Sequence, residues 1–513
     1  MKIDSDVLII GSGFGGCLTA LSLRKLGYRV CVVDKVTHPR FAIGESSTPL
    51  ADRILKRLAA RLELDWLAPL SAYGTAQSLA PEVTVGLKRG FSYFHHARET
   101  AFEPCGNHAS ELLVAASTSD SISDTHWLRS TVDHYIARQL ANADVKLIEG
   151  FSIEKITKGN DCWLVRGTCQ GGAGHDDVGG PLELTSSFII DASGAGAVLA
   201  DVAHQRDMSG ELKTNTGAIF GHFCDVKDWN DVYIGCGGEH HAHPYVCHYA
   251  AVHHLIEEGW VWQLKFDNGV TSCGVVFDQT QADGVAINEE NAESNWRRIL
   301  RKYPSLETQF AKAQLVTPSR LAAKERLQHL RMPGAGEGWL ALPSAVGFVD
   351  PLHSTGIAHT LAAVEQIAEM FSQCKGRVEF PTHESLLDYG TQVHAEILWI
   401  DELVSMCYSA MFDFSLFATA TMTYFVVVTT AERDESDGFL SVRNLELVEC
   451  VGQVSARVRE LRRRHDHGVI SDDEICTAIA WIRERVEPYN RVGLMDPAKR
   501  NLYRHTAPSD KTV

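Results

Sequence analysis

The chain has 513 residues, 45% hydrophobic and 22% charged, too long for a single core and ordinary for a globular protein of two or three domains. Its 65 acidic residues against 48 basic ones give a formal charge of −17, which argues against nucleic acid or an anionic membrane as partner, since both need a positive surface. Thirteen cysteines with no CxxC pair do not form a disulfide or zinc framework and point to a reducing, cytoplasmic setting.

Residues 6–34 read as strand, glycine-rich turn, helix and strand: DVLII, GSGFGG, CLTALSLRKLG, YRVCVVD. Asp4 and Asp6 stand where a signal peptide would carry its basic flank, so the apolar run is read as structure and the protein is expected to act where it is made. Gly11 permits the tight turn, Gly13 lets a pyrophosphate lie against the backbone at a positive helix N-terminus, and Gly16 lets helix and strand pack closely. Asp34, ending the second strand, is placed to accept hydrogen bonds from an adenosine ribose. A ligand-free turn of the same shape would leave Asp34 unexplained, so the pattern predicts dinucleotide binding.

Further along, SSTPLADRILKRLAARL is helical. TVGLKRGFSYFHH, residues 84–96, alternates like one strand, with Lys88 between Gly86 and Gly90 on a nearly bare face. Such a strand gives up packing where something else approaches closely; the plain alternative is a surface lysine on an edge strand. HWLRSTVDHYIARQLANA is an amphipathic helix, VKLIEG a short strand, and residues 151–190 a small antiparallel region in which GGAGHDDVGG (171–180) is a hairpin loop. Residues 217–278, rich in aromatic and β-branched residues, suggest a second sheet, and from about residue 357 the signals are helical. The apolar run from Tyr408 is long enough to cross a bilayer, but Asp413 and its hydroxyls favour a buried helix.

Four segments carry the chemistry. HPRFAIGESSTP (38–49) offers Arg40, Ser46 and Ser47 to phosphates and a flavin edge, and DASGAG (191–196) lets backbone approach an adenine end. GFVDPLHSTGIAHTL (347–361) puts the N–H groups of Thr355 and Gly356 at a helix N-terminus, where an anion is stabilised; its plain alternative is a helix capped by Ser354. EEGWVWQLKF (257–266) places Trp260 and Trp262 on one strand face, which core packing would also explain. His240, His241, His243, His248, His253 and His254 crowd one region without a recognised metal spacing, so no metal site is expected. RVRELRRRHDH, from Arg457, reads as a solvated helix face.

At these segments the chain resembles the FAD-dependent monooxygenase and halogenase superfamily, and Pro39–Pro49 resembles the flavin-dependent halogenases, closest to their pyrrole- and phenol-type members. The resemblance implies an α/β fold: a Rossmann-like FAD-binding domain of the GR2 type interleaved with a mixed or antiparallel substrate sheet, plus a C-terminal helical region. The expected division gives the FAD-binding domain residues 1–75, 111–204 and 331–372, the substrate side 76–110 and 205–330, and the helical region 373–513. FAD would be held by Gly11, Gly13, Phe14, Gly16, Asp34, Lys35, Arg40, Ile43, Ser46, Ser47, Arg129, Asp191, Ala192, Gly194, Asp350 and Ile357. Thr355 and Gly356 would bind chloride or bromide, Trp260 and Trp262 would shield substrate from flavin, and Lys88, Ser354 and His353 would be catalytic. The family's W-x-W-x-I-P is only partly kept, with Leu264 and Lys265 in its last positions. His353 stands where tryptophan halogenases carry a Glu, which turns the expectation from tryptophan to a phenol or pyrrole.

The implied activity uses FAD as FADH2 from a separate NADH-dependent flavin reductase, since no second GxGxxG unit is present for a nicotinamide cofactor, together with O2. The substrate would be a small aromatic, free or tethered to a carrier protein. An FAD-dependent aromatic monooxygenase or other flavin oxidoreductase, and a catalytically silent flavin-binding protein, remain as alternatives.

Overall fold

A computed structural model describes residues 2–160, 162–170, 179–280, 286–374, 379–434 and 438–507; most of the loop expected at 171–180 lies outside them. Strand Lys2–Ile10 is the hub of the first sheet. It pairs in parallel with Val30–Val33 on one side and with Gly180–Asp191 on the other, and Lys146–Ile148 and Trp339–Ala341 extend the parallel row outward. All four residues of Val30–Val33 and the last four of Lys2–Ile10 are buried, as strands covered on both faces must be. Helix Phe14–Lys25 covers one face, buried from Phe14 to Leu23, and packs against helices Arg129–Asn142 and Thr355–Ser372. The sheet thus draws strands from widely separated parts of the chain. The region 151–190 is partly as expected: Phe151–Lys158 and Trp163–Cys169 are antiparallel, while Gly180–Asp191 goes on to join the parallel row.

The second sheet has eight strands in the order Gln314–Lys324, Thr216–Cys224, Thr271–Asp278, Gly259–Lys265, Ala251–Ile256, Gly90–His95, Glu111–Ala115, Leu502–Tyr503. Alternate residues feed two cores. Trp260, Trp262 and Val276 face the cluster shared with the first sheet, whereas Val261, Val275 and Phe277 join a second cluster with Trp229 and Trp296. With both faces covered, nearly every residue of the central strands Thr216–Cys224, Ala251–Ile256, Gly259–Lys265 and Thr271–Asp278 is buried. The last strand lies in the region expected to be helical, so the chain's end returns to this sheet.

Residues 84–96 are not one strand. The run breaks at Arg89 into Val85–Lys88, paired antiparallel with Asp124–Trp127, and Gly90–His95, which belongs to the second sheet. Arg89 stands at the break, its N–H bonded to the Tyr249 carbonyl and its guanidinium to Asp120 at 2.6 Å.

Four long helices follow: His383–Ala410, Phe414–Ala431, Leu445–Asp466 and Asp472–Val486. The first three are capped by Thr382, Asp413 and Asn444, and the fourth by a Ser471–Glu474 capping box. Phe414–Ala431 is the one helix among the described residues long and apolar enough to cross a membrane, and 89% of it is buried in the protein. Four of its threonines, Thr419, Thr423, Thr429 and Thr430, return their hydroxyls to carbonyls one turn back, which lets polar residues sit in a core helix. The basic run from Arg457 is a helix face tied down by ion pairs, among them Arg459–Glu402 at 2.7 Å.

Candidate active site

The glycine turn is shaped by backbone contact. Gly11 has φ 112°, and a Cβ there would lie 2.4 Å from the Ala192 carbonyl oxygen; at Gly16 it would lie 2.0 Å from the Gly11 oxygen. No L side chain fits either place. Gly13 differs, because a Cβ there would meet Arg40 Nη2 at 3.4 Å, Arg129 Nη2 at 3.7 Å and Asp133 Oδ2 at 3.8 Å. Two guanidinium groups therefore converge on the N-terminus of a helix whose first turn holds no acidic residue, the arrangement a pyrophosphate needs.

Arg129 is positioned from every side. Its Nε and Nη2 donate to the two Asp133 oxygens at 2.8 Å, its Nη1 donates to the Ile43 and Gly44 carbonyls at 3.1 Å, and it lies 4.7 Å over the Phe14 ring. Burial pulls the Arg129 pKa down, and Asp133 more than offsets it. Asp133, fully buried, is a residue the sequence reading missed; its only signal was the i, i+4 spacing to Arg129. Asp34 accepts from Ser12 N at 2.7 Å and Ser12 Oγ at 2.8 Å, with Arg40 3.7 Å away. Asp191 accepts from Ser193 N and Leu199 N, both at 2.9 Å, and so shapes the Ala192–Gly194 turn, where Gly194 opens on free space. Lys35 is exposed. The open space at Gly194 and the paired guanidinium groups beside Gly13 fit an anionic dinucleotide such as FAD.

The run Pro39–Pro49 is zipped onto Asp124–Trp127. Glu45 O accepts from Trp127 N at 2.6 Å, Ser47 N donates to Thr125 O at 2.9 Å, and Ser46 bridges His126. One expectation changes here. The Ser47 hydroxyl is fully buried and donates to Asp52 at 2.5 Å, so it is not available to a phosphate; the Ser46 hydroxyl, also buried, has no hydrogen-bond partner among the described residues.

Lys88 ends its strand opposite Asp124 and is fully buried, so the surface-lysine alternative falls. Its ammonium donates to the Ser47 carbonyl and lies 4.1 Å from the centre of the Phe91 ring. The glycines beside it have another reason than room for a ligand: a Cβ on Gly86 would lie 1.9 Å from Lys265 O, and one on Gly90 1.9 Å from Val114 O. Crossing backbones fill those places. His126 and His253 sit near Lys88, and burial, with the lysine's charge adding to it, pushes both down to about 3, so both are neutral at pH 7.

Packing leads from Lys88 toward the turn that precedes helix Thr355–Ser372. Phe91 stacks on Tyr93 at 6.3 Å, Tyr93 on His253 at 4.5 Å, and His253 lies 4.9 Å from Trp260. Trp260 Nε1 donates to the Tyr408 hydroxyl at 2.7 Å, and Tyr408 donates to Asp350 at 3.1 Å. Asp350 also accepts from Thr216 Oγ1 at 2.8 Å and Leu352 N at 3.0 Å; burial outweighs these bonds and pushes it up to about 7. Its carboxyl is thus engaged with the protein, though it fixes the turn that follows. Trp262 Nε1 donates to Ser272 at 3.2 Å. Tyr93 and Tyr408 were not singled out by the sequence, and His253 only as one of a histidine cluster, because the three come from distant segments.

In that turn His353 is buried, stacked 3.9 Å from Tyr424 and within 3.5 Å of Tyr93 Oη and 3.4 Å of Cys407 Sγ. Burial holds it well below the usual imidazole range. Ser354 adopts φ 56° and makes no side-chain cap, so the plain capping alternative does not hold. Thr355 is half-buried, Gly356 is exposed with nothing within 4 Å of its Cβ position, and Ile357 is buried. Gly356, the second residue of an 18-residue helix whose N-cap makes no side-chain bond, therefore borders open space.

Residues 6–222 match the FAD binding domain family and residues 176–412 the Tryptophan halogenase family. The chain is 26% identical over 419 residues to the monodechloroaminopyrrolnitrin halogenase PrnC of Pseudomonas fluorescens, covering 80% of this chain and 69% of that one. It is 26% identical over 369 residues to the tetracycline 7-halogenase of Kitasatospora aureofaciens, covering 71% and 62%. Its fold matches that of halogenase PltM, solved with phloroglucinol and FAD, with a TM-score of 0.79 over 98% of this chain and 100% of that one at 21% identity. Over most of its length the chain is similar to flavin-dependent halogenases, FAD enzymes of the oxidoreductase class.

Proposed function

We propose that this enzyme halogenates an electron-rich aromatic, a phenol or a pyrrole, using chloride or bromide, O2 and reduced FAD delivered by an NADH-dependent flavin reductase, with Lys88 as the group that directs the electrophile. The observation that carries this reading is a fully buried lysine whose ammonium is held on the carbonyl of Ser47, inside the segment that resembles the halogenases.

Reduced FAD, when bound, supplies the electrons that let O2 oxidise halide to hypohalous acid. Arg40 and Arg129 bind the pyrophosphate and Asp34 the ribose. The N–H groups of Thr355 and Gly356 hold the halide at the positive helix end. Trp260, fixed by Tyr408 and Asp350, and Trp262 wall off the substrate. Lys88 donates a hydrogen bond to the oxygen of hypohalous acid. The ring carbon attacks the halogen, the oxygen–halogen bond breaks, and the oxygen leaves as water with the ring proton. A phenol or pyrrole pushes electrons from its own heteroatom, so this step needs no strong carboxylate. His353 packs and positions the turn; its ring is neutral and enclosed by Tyr93, Cys407 and Tyr424, which leaves proton removal to the substrate's own electron push and solvent.

The relatives support the substrate class by their names: PrnC is a halogenase of monodechloroaminopyrrolnitrin, and others act on a pyrrole carried by a peptidyl-carrier protein. The departures at Leu264 and Lys265 favour, as second reading, a flavin monooxygenase. Incubation with a flavin reductase, NADH, FAD and a panel of phenols, pyrroles and indoles, free and carrier-bound, separates the two by mass spectrometry. Halogenated product that requires added chloride or bromide supports the proposal; hydroxylated product independent of halide overturns it.

A further inference from the structure

A cluster in the second sheet takes no part in the flavin chemistry. Glu111 opens strand Glu111–Ala115 with its side chain 1% exposed. The His108 ring, the His243 ring and the Tyr233 hydroxyl all converge on one carboxylate oxygen, Oε1, the last two at 3.2 Å. The other oxygen, Oε2, is equally buried and has no hydrogen-bond partner among the described residues. The ligating atoms of His108, Glu111 and His243 lie within 4.8 Å of one another, and bonds of about 2.0–2.1 Å to a tetrahedral zinc ion would set such atoms roughly 3.4 Å apart. His108 adopts φ 57°, a conformation that costs a residue with a Cβ about 1 kcal/mol and here turns its ring toward Glu111. One side of the cluster opens on a cavity of about 610 Å³ lined by Cys105, His108, Tyr233, Glu239, His241 and Arg500.

We infer that His108, Glu111 and His243 bind one zinc ion, with a water from this cavity as its fourth ligand. Two imidazole nitrogens and a carboxylate oxygen are donors that suit zinc, and Tyr233 orients the carboxylate as an outer partner. The ion ties together segments that share no local contact in sequence. His108 and Glu111 come from the turn before strand Glu111–Ala115 and its first residue, and His243 follows the short helical turn His240–Ala242. Asn501, beside the last strand, donates to the His108 carbonyl at 3.1 Å. The site lies at the Phe94–Glu111 end of its strand pair, away from the Gly90–Ala115 end next to Lys88, so it stands apart from the proposed halogenation site. Of the histidines clustered in residues 240–254, only His243 takes part, which is why their spacing showed no metal pattern.

The test uses the FAD-loaded full chain without a polyhistidine tag, dialysed against micromolar zinc and then against buffer, with metal content read by mass spectrometry. The expected result is one zinc per chain in the wild type and in His241→Gln, and a ratio near zero in Glu111→Gln and His243→Gln. Because those variants could misfold, the wild type is also stripped with a chelator and titrated with Co²⁺. The expected readouts are the visible bands of four-coordinate cobalt with nitrogen and oxygen ligands, and a melting temperature that falls on stripping and recovers with zinc. No bound zinc and no cobalt bands in the wild type, or zinc retained by well-folded Glu111→Gln and His243→Gln proteins, overturns the inference.

Discussion

The Lys88 ammonium donates a hydrogen bond to the backbone carbonyl of Ser47, so the proposed catalytic lysine is held by the same segment whose Ile43 and Gly44 carbonyls hold Arg129. One loop thereby touches both the group that would direct the electrophile and the group that would bind the cofactor's pyrophosphate. Movement of this loop on cofactor binding would be felt at Lys88 through that hydrogen bond.

Lys88→Met keeps the apolar stem and removes the donor. On the proposed mechanism halogenation falls by roughly 100-fold or more, the scale of losing one positioned electrostatic group, while flavin absorbance shows FAD still bound at one per chain. Product formation at the wild-type rate would remove Lys88 from the mechanism.

Gly86→Ala and Gly90→Ala test why the lysine sits between glycines. Each added methyl would meet a carbonyl oxygen of a neighbouring strand at 1.9 Å, and strand backbone cannot retreat without loss of its ladder. Each variant is expected to lose about 2–3 kcal/mol in urea unfolding, at the upper end of ordinary overpacking. A raised KM for the aromatic with an unchanged unfolding midpoint would instead mean that the glycines make room for substrate.

The sequence made the glycine turn, Asp34 and the two Trp positions legible because each depends on local spacing: a turn before a helix, an acid ending a strand, a pair at i and i+2. It made Lys88 legible as unusual but misread its setting, since alternation alone cannot show that the chain changes sheets at Arg89. The hydroxyl of Ser47 looked available because nothing local reveals Asp52 as its acceptor five residues on, inside a helix. Tyr93 and Tyr408 stayed hidden for a related reason. They act through contacts between strands and helices far apart in the chain, and a single sequence carries periodicity but not pairing.

Arg129→Gln should show two separable effects. In the cofactor-free protein it leaves the buried Asp133 without its bidentate partner, the other cation being Arg40 at 3.9 Å, and unfolding should need about 3 kcal/mol less, as when one member of a buried pair is removed. In addition, FAD binding, followed by flavin fluorescence, should weaken at least about tenfold through loss of a phosphate-facing guanidinium. A stability loss with unchanged FAD affinity would restrict Arg129 to holding the Ile43–Gly44 loop.

Asp350 gives a pH signature. Burial raises its pKa to about 7 from an ordinary carboxylate value of 3.8, so the folded state holds a proton that the unfolded state releases. The stability tied to this group is fully present below about pH 4 and is lost as pH rises toward about 7, with a slope of at most about 1.4 kcal/mol per pH unit. Asp350→Asn carries no such proton. The wild-type advantage over this variant in unfolding free energy should therefore decline from about pH 4 to about pH 7 and level off above it. The variant's own penalty, an amide facing donors from Tyr408, Thr216 and Leu352, shifts the whole curve without changing its slope. A flat difference across that range would mean the three donors keep the carboxylate ionised, and that Tyr408 and Trp260 are braced by a charge rather than by a proton.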